Sequence, residues 1–496
     1  MFNELQQLAD EAPARPVLEG IDEAVSAADL LARVKELALH LRTSQAHTVG
    51  LLADNSINWV VVDLACQYEE ICLVPIPTFF SDSQVRHVIE TAGVDRLIFD
   101  GACSPRVPSA YSAPSKVIPG AAGMHSMSVP RTHCPAMPLK TAKITFTSGS
   151  TGTPKGVCLS TSQCLSVASS LADAVNIDAP RHLCVLPLST LLENIAGIYM
   201  PMLSGGNSLV YPSEALGMAG SSGIKAQQFL EAIDRLKPQT MILVPQLLAL
   251  LDAAMTSGWQ PPASLQFIAV GGGRVAPAML GRAREAGLPV YEGYGLSECA
   301  SVVSLNTPCG DRPGTSGKVL PHVEVSEHDG ELVVSGNTFL GYLNQPQTWG
   351  VQAVATGDLG QIDEDSYVTV HGRSKNVLVS SFGRNISPEW VESELVAVAE
   401  IQQAVLIGDD RPWCTALLWP SSDDLAADRV QENVDAINSD LPDYARVKKW
   451  HLMSEPMTAA NGLMTENGRP RRDQIVNRYS ELIEDLYRSA EIPIAR

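Results

Sequence analysis

Between roughly residues 20 and 300, short apolar runs alternate with longer stretches of helical spacing, and this alternation restricts the fold more than any other property of the chain. The runs at 49–53, 71–75, 96–99, 182–186, 208–211, 240–244 and 267–271 have the length and composition of buried strands. Between them, 27–41 and 228–236 space their apolar residues as helices do. Such a chain makes βαβ units and a mostly parallel sheet. After residue 310 the texture changes. Segments 331–336, 367–372 and 376–381 are short alternating strands split by turn signals, an antiparallel β module.

A domain boundary is expected within 357–376, because the chain beyond Gly372 reads as a compact α+β unit. One helix there starts at Ser387-Pro388-Glu389, with Ser as N-cap, Pro at the first helical position and an acid in the first turn. Val391, Leu395 and Val398 form its apolar face. The expected class is therefore α/β. A large N-terminal domain, 1–373, holds parallel and mixed sheets with helices plus the antiparallel module, and a small α+β domain spans 374–496. Segment 102–140, rich in Pro, Ser and Ala, is expected to be a surface excursion of little catalytic weight.

With 496 residues the chain is too long for one core, and 45% hydrophobic against 18% charged residues marks a soluble globular protein. A net charge of −20 argues against nucleic acid as a partner, and it requires any anionic ligand to be held by local positive groups. No apolar run approaches the ~20 residues that span a bilayer. The first eleven residues lack a basic stretch followed by an apolar one, so the expected location is the cytoplasm. The ten cysteines include no C-x-x-C pair, which suits a reducing compartment and disfavours a zinc site. Cys66, Cys72 and Cys184 lie in or beside apolar runs and are expected in the core.

Residues 147–157, Thr-Ser-Gly-Ser-Thr-Gly-Thr-Pro-Lys-Gly-Val, carry the strongest chemical signal. Glycine and hydroxyl positions leave backbone N–H groups bare and let the backbone approach a polyphosphate closely. Lys155 adds a point charge for phosphate oxygens. The alternating Ile144-Thr145-Phe146 just upstream puts the loop at the carboxyl end of a strand, where ligands of open α/β sheets bind. It is not a Walker A loop, since Pro154 stands where that pattern needs its second glycine. A flexible linker rarely ends in Pro-Lys-Gly-Val after a buried strand.

Three further segments bear on chemistry. Tyr291-Glu292-Gly293-Tyr294-Gly295-Leu296-Ser297-Glu298 places an aromatic ring, a hydroxyl and a carboxylate around a glycine-loosened turn, the parts a nucleotide and its magnesium need. Thr356-Gly357-Asp358-Leu359-Gly360 is followed by Gly372-Arg373-Ser374-Lys375. Asp358 can accept both hydroxyls of a ribose, and Arg373 can donate to the same sugar. The stretch 461–472 is a glycine-bearing turn that presents Arg469, Arg471 and Arg472.

In this order and separation the segments resemble the adenylate-forming superfamily of acyl-CoA synthetases, peptide-synthetase adenylation domains and luciferases, over nearly the whole chain. The resemblance implies that Ser148, Gly149, Ser150, Thr151, Gly152 and Thr153 bind phosphates. With them, Gly272, Gly273, Glu292, Gly293, Tyr294, Gly295, Ser297, Asp358 and Arg373 form the rest of the nucleotide site. It implies catalytic roles for Thr147, Lys155, Glu298 and Arg469, with Glu298 as the magnesium ligand. Lys375 matches the interdomain hinge, and Gly383, within 382–389, matches the glycine of the pantetheine tunnel.

Segment 187–194, Pro-Leu-Ser-Thr-Leu-Leu-Glu-Asn, resembles the Pro-Leu-Ser-His-x-x-Glu-Arg of medium- and long-chain fatty acyl-CoA synthetases, with Thr190 for His and Asn194 for Arg. Arg469 stands where the family keeps a catalytic lysine, and the exchange is not conservative. The implied activity is ATP-dependent joining of a lipophilic, fatty carboxylic acid to coenzyme A through an acyl-adenylate, with ATP, Mg²⁺ and coenzyme A as cofactors. Leu188, Leu191, Leu192 and 270–273 suggest an apolar tunnel for the acid. Two alternatives stand beside this: loading of an acyl-carrier protein, and a catalytically weakened nucleotide-binding relative. A homodimer is left open.

Overall fold

The computed structural model describes residues 1–108, 111, 115–131, 133–147, 154–219, 223–422, 425–465 and 468–488. The expected alternation builds two large sheets. The first runs Lys318–Val319, Ser301–Leu305, Val290–Leu296, Phe267–Val270, Thr240–Leu243, Arg181–Leu183, Asn207–Leu209, Pro16–Glu19, Ala24–Ser26. Its middle strands are parallel and both edges antiparallel. The second runs Gly341–Tyr342, Lys155–Leu159, Lys143–Thr147, Cys72–Ile76, Thr48–Leu52, Arg96–Asp100, Met124–Ser128, Lys116–Val117. Thr48–Leu52 and Cys72–Ile76 are buried at every position, as strands covered on both faces must be.

Helices cover the sheets with the predicted stripes. Ala27–Thr43 is capped by Ser26, whose Oγ accepts from Asp29 N at 3.2 Å, and it buries Leu30, Leu31, Val34, Leu37, Ala38 and Leu41. Ala226–Leu236 buries Phe229, Ala232, Ile233 and Leu236. One continuous core joins the two sheets, taking in Leu51, Val157, Leu191, Ile198 and Val302. Cys66, Cys72 and Cys184 are buried, as expected.

The antiparallel module is a four-stranded sheet of Val323–His328, Glu331–Gly336, Ala353–Ile362 and Val368–Arg373. Beyond it, Leu378–Val379 and Asn385–Ile386 pair as a small hairpin. Ile401–Ile407, Cys414–Pro420 and Val447–Leu452 then form a three-stranded sheet with its own core, which includes Ile386, Val391, Leu395, Leu406 and Val430. Among the described residues no helix is long and apolar enough to cross a membrane.

Several local expectations need correction. The strand expected at 182–186 ends at Leu183, and the one expected at 376–381 is a 3₁₀ turn, Ser374–Asn376, followed by two strand residues. Segment 102–140 is not all excursion, because Met124–Ser128 pairs with Arg96–Asp100 and extends the sheet. Helix Pro388–Leu395 starts where predicted, but the Ser387 hydroxyl donates to Glu389 Oε2 at 3.2 Å instead of capping the backbone. Val398 lies beyond that helix, packed partly against the core.

Candidate functional site

The phosphate-type loop joins two antiparallel strands, Lys143–Thr147 and Lys155–Leu159, which close with Thr147 opposite Lys155. A Walker A loop would open a helix here, so both the connection and Pro154 separate the two designs. Ser148, Gly149, Ser150, Thr151, Gly152 and Thr153 lie outside the described residues. Lys155 is exposed at the mouth of the hairpin.

The second segment ends strand Val290–Leu296 and turns through Ser297–Cys299. A bulge at Tyr294/Gly295 interrupts its pairing with Ser301–Leu305 and re-aims the side chains on either side. Only glycine fits at 295, since a Cβ there would sit 1.6 Å from the Ser301 carbonyl oxygen. Glu298 accepts at Oε1 from the Tyr342 hydroxyl at 2.7 Å, and its carbonyl accepts from Phe339 N at 2.7 Å. Tyr342 was not singled out by sequence reasoning. Its signal was Gly341-Tyr342 inside the strand-like run before Asn344-Gln345-Pro346, which reads as an ordinary turn.

Asp358 and Arg373 face each other across the strand pair Ala353–Ile362 and Val368–Arg373. Arg373 Nε lies 2.8 Å from Asp358 Oδ1, and the Tyr294 hydroxyl donates to Asp358 Oδ2 at 2.7 Å. The ring expected to stack on a base is thus fixed at its hydroxyl end by the expected ribose acceptor. Burial raises the Asp358 pKa, opposed by Arg373, Tyr294 and Arg469. Burial also pushes Glu292 up to about 7, with Arg274 opposing.

Arg469 crosses to the same place. Its Nη2 donates to the Gly272 carbonyl at 3.3 Å, and Gly272 takes a left-handed φ of 80°. Desolvation and then the like charge of Arg373 lower the Arg469 pKa, while Asp358 and Glu389 raise it. Arg472 is not a free cation of this turn, because it pairs with Glu392 at 2.5 Å. Lys375 sits exposed in the 3₁₀ turn after Arg373. Gly383, with φ 70°, is at the exposed tip of the hairpin 378–386. The structure therefore gathers Gly272, Tyr294, Asp358, Arg373 and Arg469 in one cluster, and Lys155 and Glu298 around Tyr342 in another. It leaves Lys375 and Gly383 outside both.

The expected tunnel is largely core. Leu188 and Leu191 are packed away, and Gly272 and Gly273 are exposed. A cavity of ≈ 30 Å³ lies among Leu171, Leu192, Ala196, Met200, Ala269 and Val302. Its wall includes the fully buried π-helix Asn194–Tyr199.

An AMP-binding enzyme model matches residues 5–343, and an AMP-binding enzyme C-terminal domain model matches 375–491. A long-chain-fatty-acid–CoA ligase, FadD15 of Mycobacterium bovis, is 32% identical over 44% of this chain and 42% of its own length. The match therefore spans less than half of that relative. A 2-succinylbenzoate–CoA ligase of Enterococcus faecalis is 28% identical over 68% of this chain and 70% of its own. Among solved structures, the anthranilate CoA ligase AuaEII in complex with anthranoyl-AMP superposes with a TM-score of 0.82 at 18% identity, covering 98% of both chains. MenE of Bacillus subtilis with ATP and magnesium gives 0.74 at 22% identity, covering 95% of this chain and 98% of its own. At these identities the two structures establish the shared fold.

Proposed function

The chain belongs to the AMP-binding enzyme family, and on that footing we propose that it is an AMP-forming acid–thiol ligase. It activates a lipophilic, fatty carboxylic acid with ATP and passes the acyl group to coenzyme A. The observation that carries this reading is the cluster of Asp358, Arg373, Tyr294 and Arg469 beside the Gly272 carbonyl. A ribose acceptor and two cations converge there.

In this reading the acid's carboxylate attacks the α-phosphorus of ATP, giving acyl-adenylate and pyrophosphate. Asp358 accepts the ribose hydroxyls on lone pairs not used by Tyr294 and Arg373. Arg469 bridges the carboxylate and the α-phosphate, and Lys155, Thr147 and the loop 148–153 hold the leaving phosphates. Such a displacement depends on positioning and on neutralising charge. Glu298 suits a magnesium ion, since it is a hard carboxylate whose Oε2 takes no hydrogen bond among the described residues. Magnesium bound there would neutralise the phosphate oxygens. The part of the chain after residue 373 then rotates about Lys375 and removes Arg469, and a thiol reaching past Gly383 displaces AMP.

The apolar cavity supports a lipophilic acid. As it stands it has room for about one water-sized group, so a longer chain requires its lining side chains to move. CoA ligases among the relatives support coenzyme A over a carrier protein as the thiol. Arg469 in place of lysine favours one second reading, a nucleotide-binding relative slow in adenylation. A panel of acids scored by pyrophosphate release, with and without coenzyme A, tests both. Release that depends on an apolar acid supports the ligase. ATP binding without release for any acid supports the weakened relative.

A further inference from the structure

The strand Gly341–Tyr342 is two residues long, yet it touches both halves of the phosphate chemistry. Tyr342 pairs with Val157 in the strand that begins at Lys155, and Leu340 N and Leu343 N donate to the Cys158 and Gly156 carbonyls at 2.9 Å each. In the other direction, Phe339 N holds the Glu298 main chain and the Tyr342 hydroxyl holds the Glu298 carboxylate, both at 2.7 Å. The Tyr342 ring also faces Lys155, with Nζ 5.7 Å from its centroid. The residue is itself clamped, at its ring and at its main chain. Phe339 meets its ring edge-on at 4.8 Å, Tyr342 N donates to Thr348 Oγ1 at 2.9 Å, and Trp349 Nε1 donates to the Tyr342 carbonyl at 2.9 Å.

We infer that Tyr342 is a positioning residue that ties the metal ligand to the phosphate-loop lysine. Its hydroxyl fixes Glu298 Oε1, so that Oε2 would be the oxygen offered to magnesium, and its ring face lies against the Lys155 ammonium that would meet the phosphates. A ligating carboxylate that is hydrogen-bonded on one oxygen offers the other in a fixed direction, and losing such a partner costs 10- to 100-fold in metal affinity. The inference rests on the nucleotide reading above. The competing account makes Tyr342 a plain edge-strand tyrosine that matters only for stability.

The test is calorimetric titration of ATP into the full chain at a series of Mg²⁺ concentrations, for the parent, Tyr342→Phe, Glu298→Gln and the double variant. Tyr342→Phe keeps the ring over Lys155 and removes only the hydroxyl. It is expected to raise the Mg²⁺ concentration at half-maximal effect about tenfold, and to leave metal-free ATP binding unchanged. Added to Glu298→Gln, it should change nothing further. Tyr342→Leu, which removes the ring as well, should weaken metal-free ATP binding, and less so in a Lys155→Ala background. A Tyr342→Phe protein with the parent's Mg²⁺ midpoint overturns the inference, whether or not it melts earlier. A parent that binds no ATP at any Mg²⁺ concentration overturns the nucleotide reading along with it.

Discussion

Lys143 and Asp63 form a charge pair wholly inside the protein, with Nζ 2.9 Å from Oδ1 and only 4% and 0% of the two side chains exposed. Around them Asn194 Nδ2 and the Tyr199 hydroxyl donate to Asp63 Oδ2, at 2.9 and 2.6 Å, and Lys143 also donates to the Tyr199 hydroxyl at 2.7 Å. Asn194, which stands where the fatty acyl-CoA synthetase pattern has arginine, is held in this cluster as a donor to Asp63. The cation facing Asp63 comes from Lys143, on the strand that leads into the phosphate-type loop.

Removing one partner of this pair leaves a buried charge uncompensated. Lys143→Met is therefore expected to cost about 3–5 kcal/mol of unfolding free energy. Replacing both, Lys143→Met with Asp63→Leu, should recover most of that loss. Urea denaturation of the parent, Lys143→Met, Asp63→Leu and the double variant checks it, and additive losses would mean that the two groups do not interact.

Glu292 gives the protein a dependence on pH of predictable sign. Burial raises its pKa from 4.5 to about 7 in the folded state. Below pH 4.5 it is protonated in both states and has no effect. Between 4.5 and about 7 the unfolded chain ionises while the folded one holds its proton, so stability falls as pH rises, and above about 7 the loss is constant. The shift corresponds to about 3 kcal/mol. Glu292→Gln should then be more stable than the parent at pH 8 and equal to it near pH 4, with a flatter profile between. Parallel melting curves across that range would show that Glu292 titrates normally.

Asp358 should matter equally for ATP and AMP, because the ribose is common to both. Asp358→Ala is expected to weaken each by about 1.5–3 kcal/mol, the worth of a hydrogen bond to a charged acceptor. Tyr294→Phe, which frees Oδ2, should have a smaller effect on both. Calorimetry on the two nucleotides would contradict the ribose role if ATP alone were affected.

The layout of the sheets was legible because strands such as Phe267–Val270 are apolar throughout and helices such as Ala226–Leu236 carry a clean stripe. Asp358 and Arg373 were legible as a pair, since the strands that carry them are joined closely enough to bring them opposite. What the sequence hid was long-range. Tyr342 reaches Glu298 across 44 residues, and Lys143 reaches Asp63 across 80, so local pattern names neither partner. Leu188 and Leu191 misled because an apolar residue near a motif looks the same whether it lines a cavity or fills a core.

Arg469 stands where the resemblance leads one to expect lysine, and its hydrogen bond to the Gly272 carbonyl brings it to the cluster of Tyr294, Asp358 and Arg373. If its guanidinium bridges carboxylate and α-phosphate, Arg469→Ala should slow adenylation ~10²-fold or more, the effect of losing a preorganised donor to developing charge. Thioester formation from a preformed acyl-adenylate should be almost unchanged if the proposed rotation carries this residue away. Arg469→Lys separates two histories of the site. A lysine variant that matches or exceeds the parent means that arginine is a poor substitute in a site still shaped for an ammonium. A slower one means that the pocket around Gly272, Asp358 and Arg373 fits the planar fork, which cannot be mimicked by a point charge. Equal adenylation by parent, alanine and lysine proteins, measured by pyrophosphate exchange, would remove Arg469 from the reaction and leave its contact with Gly272 as packing between the two parts of the chain.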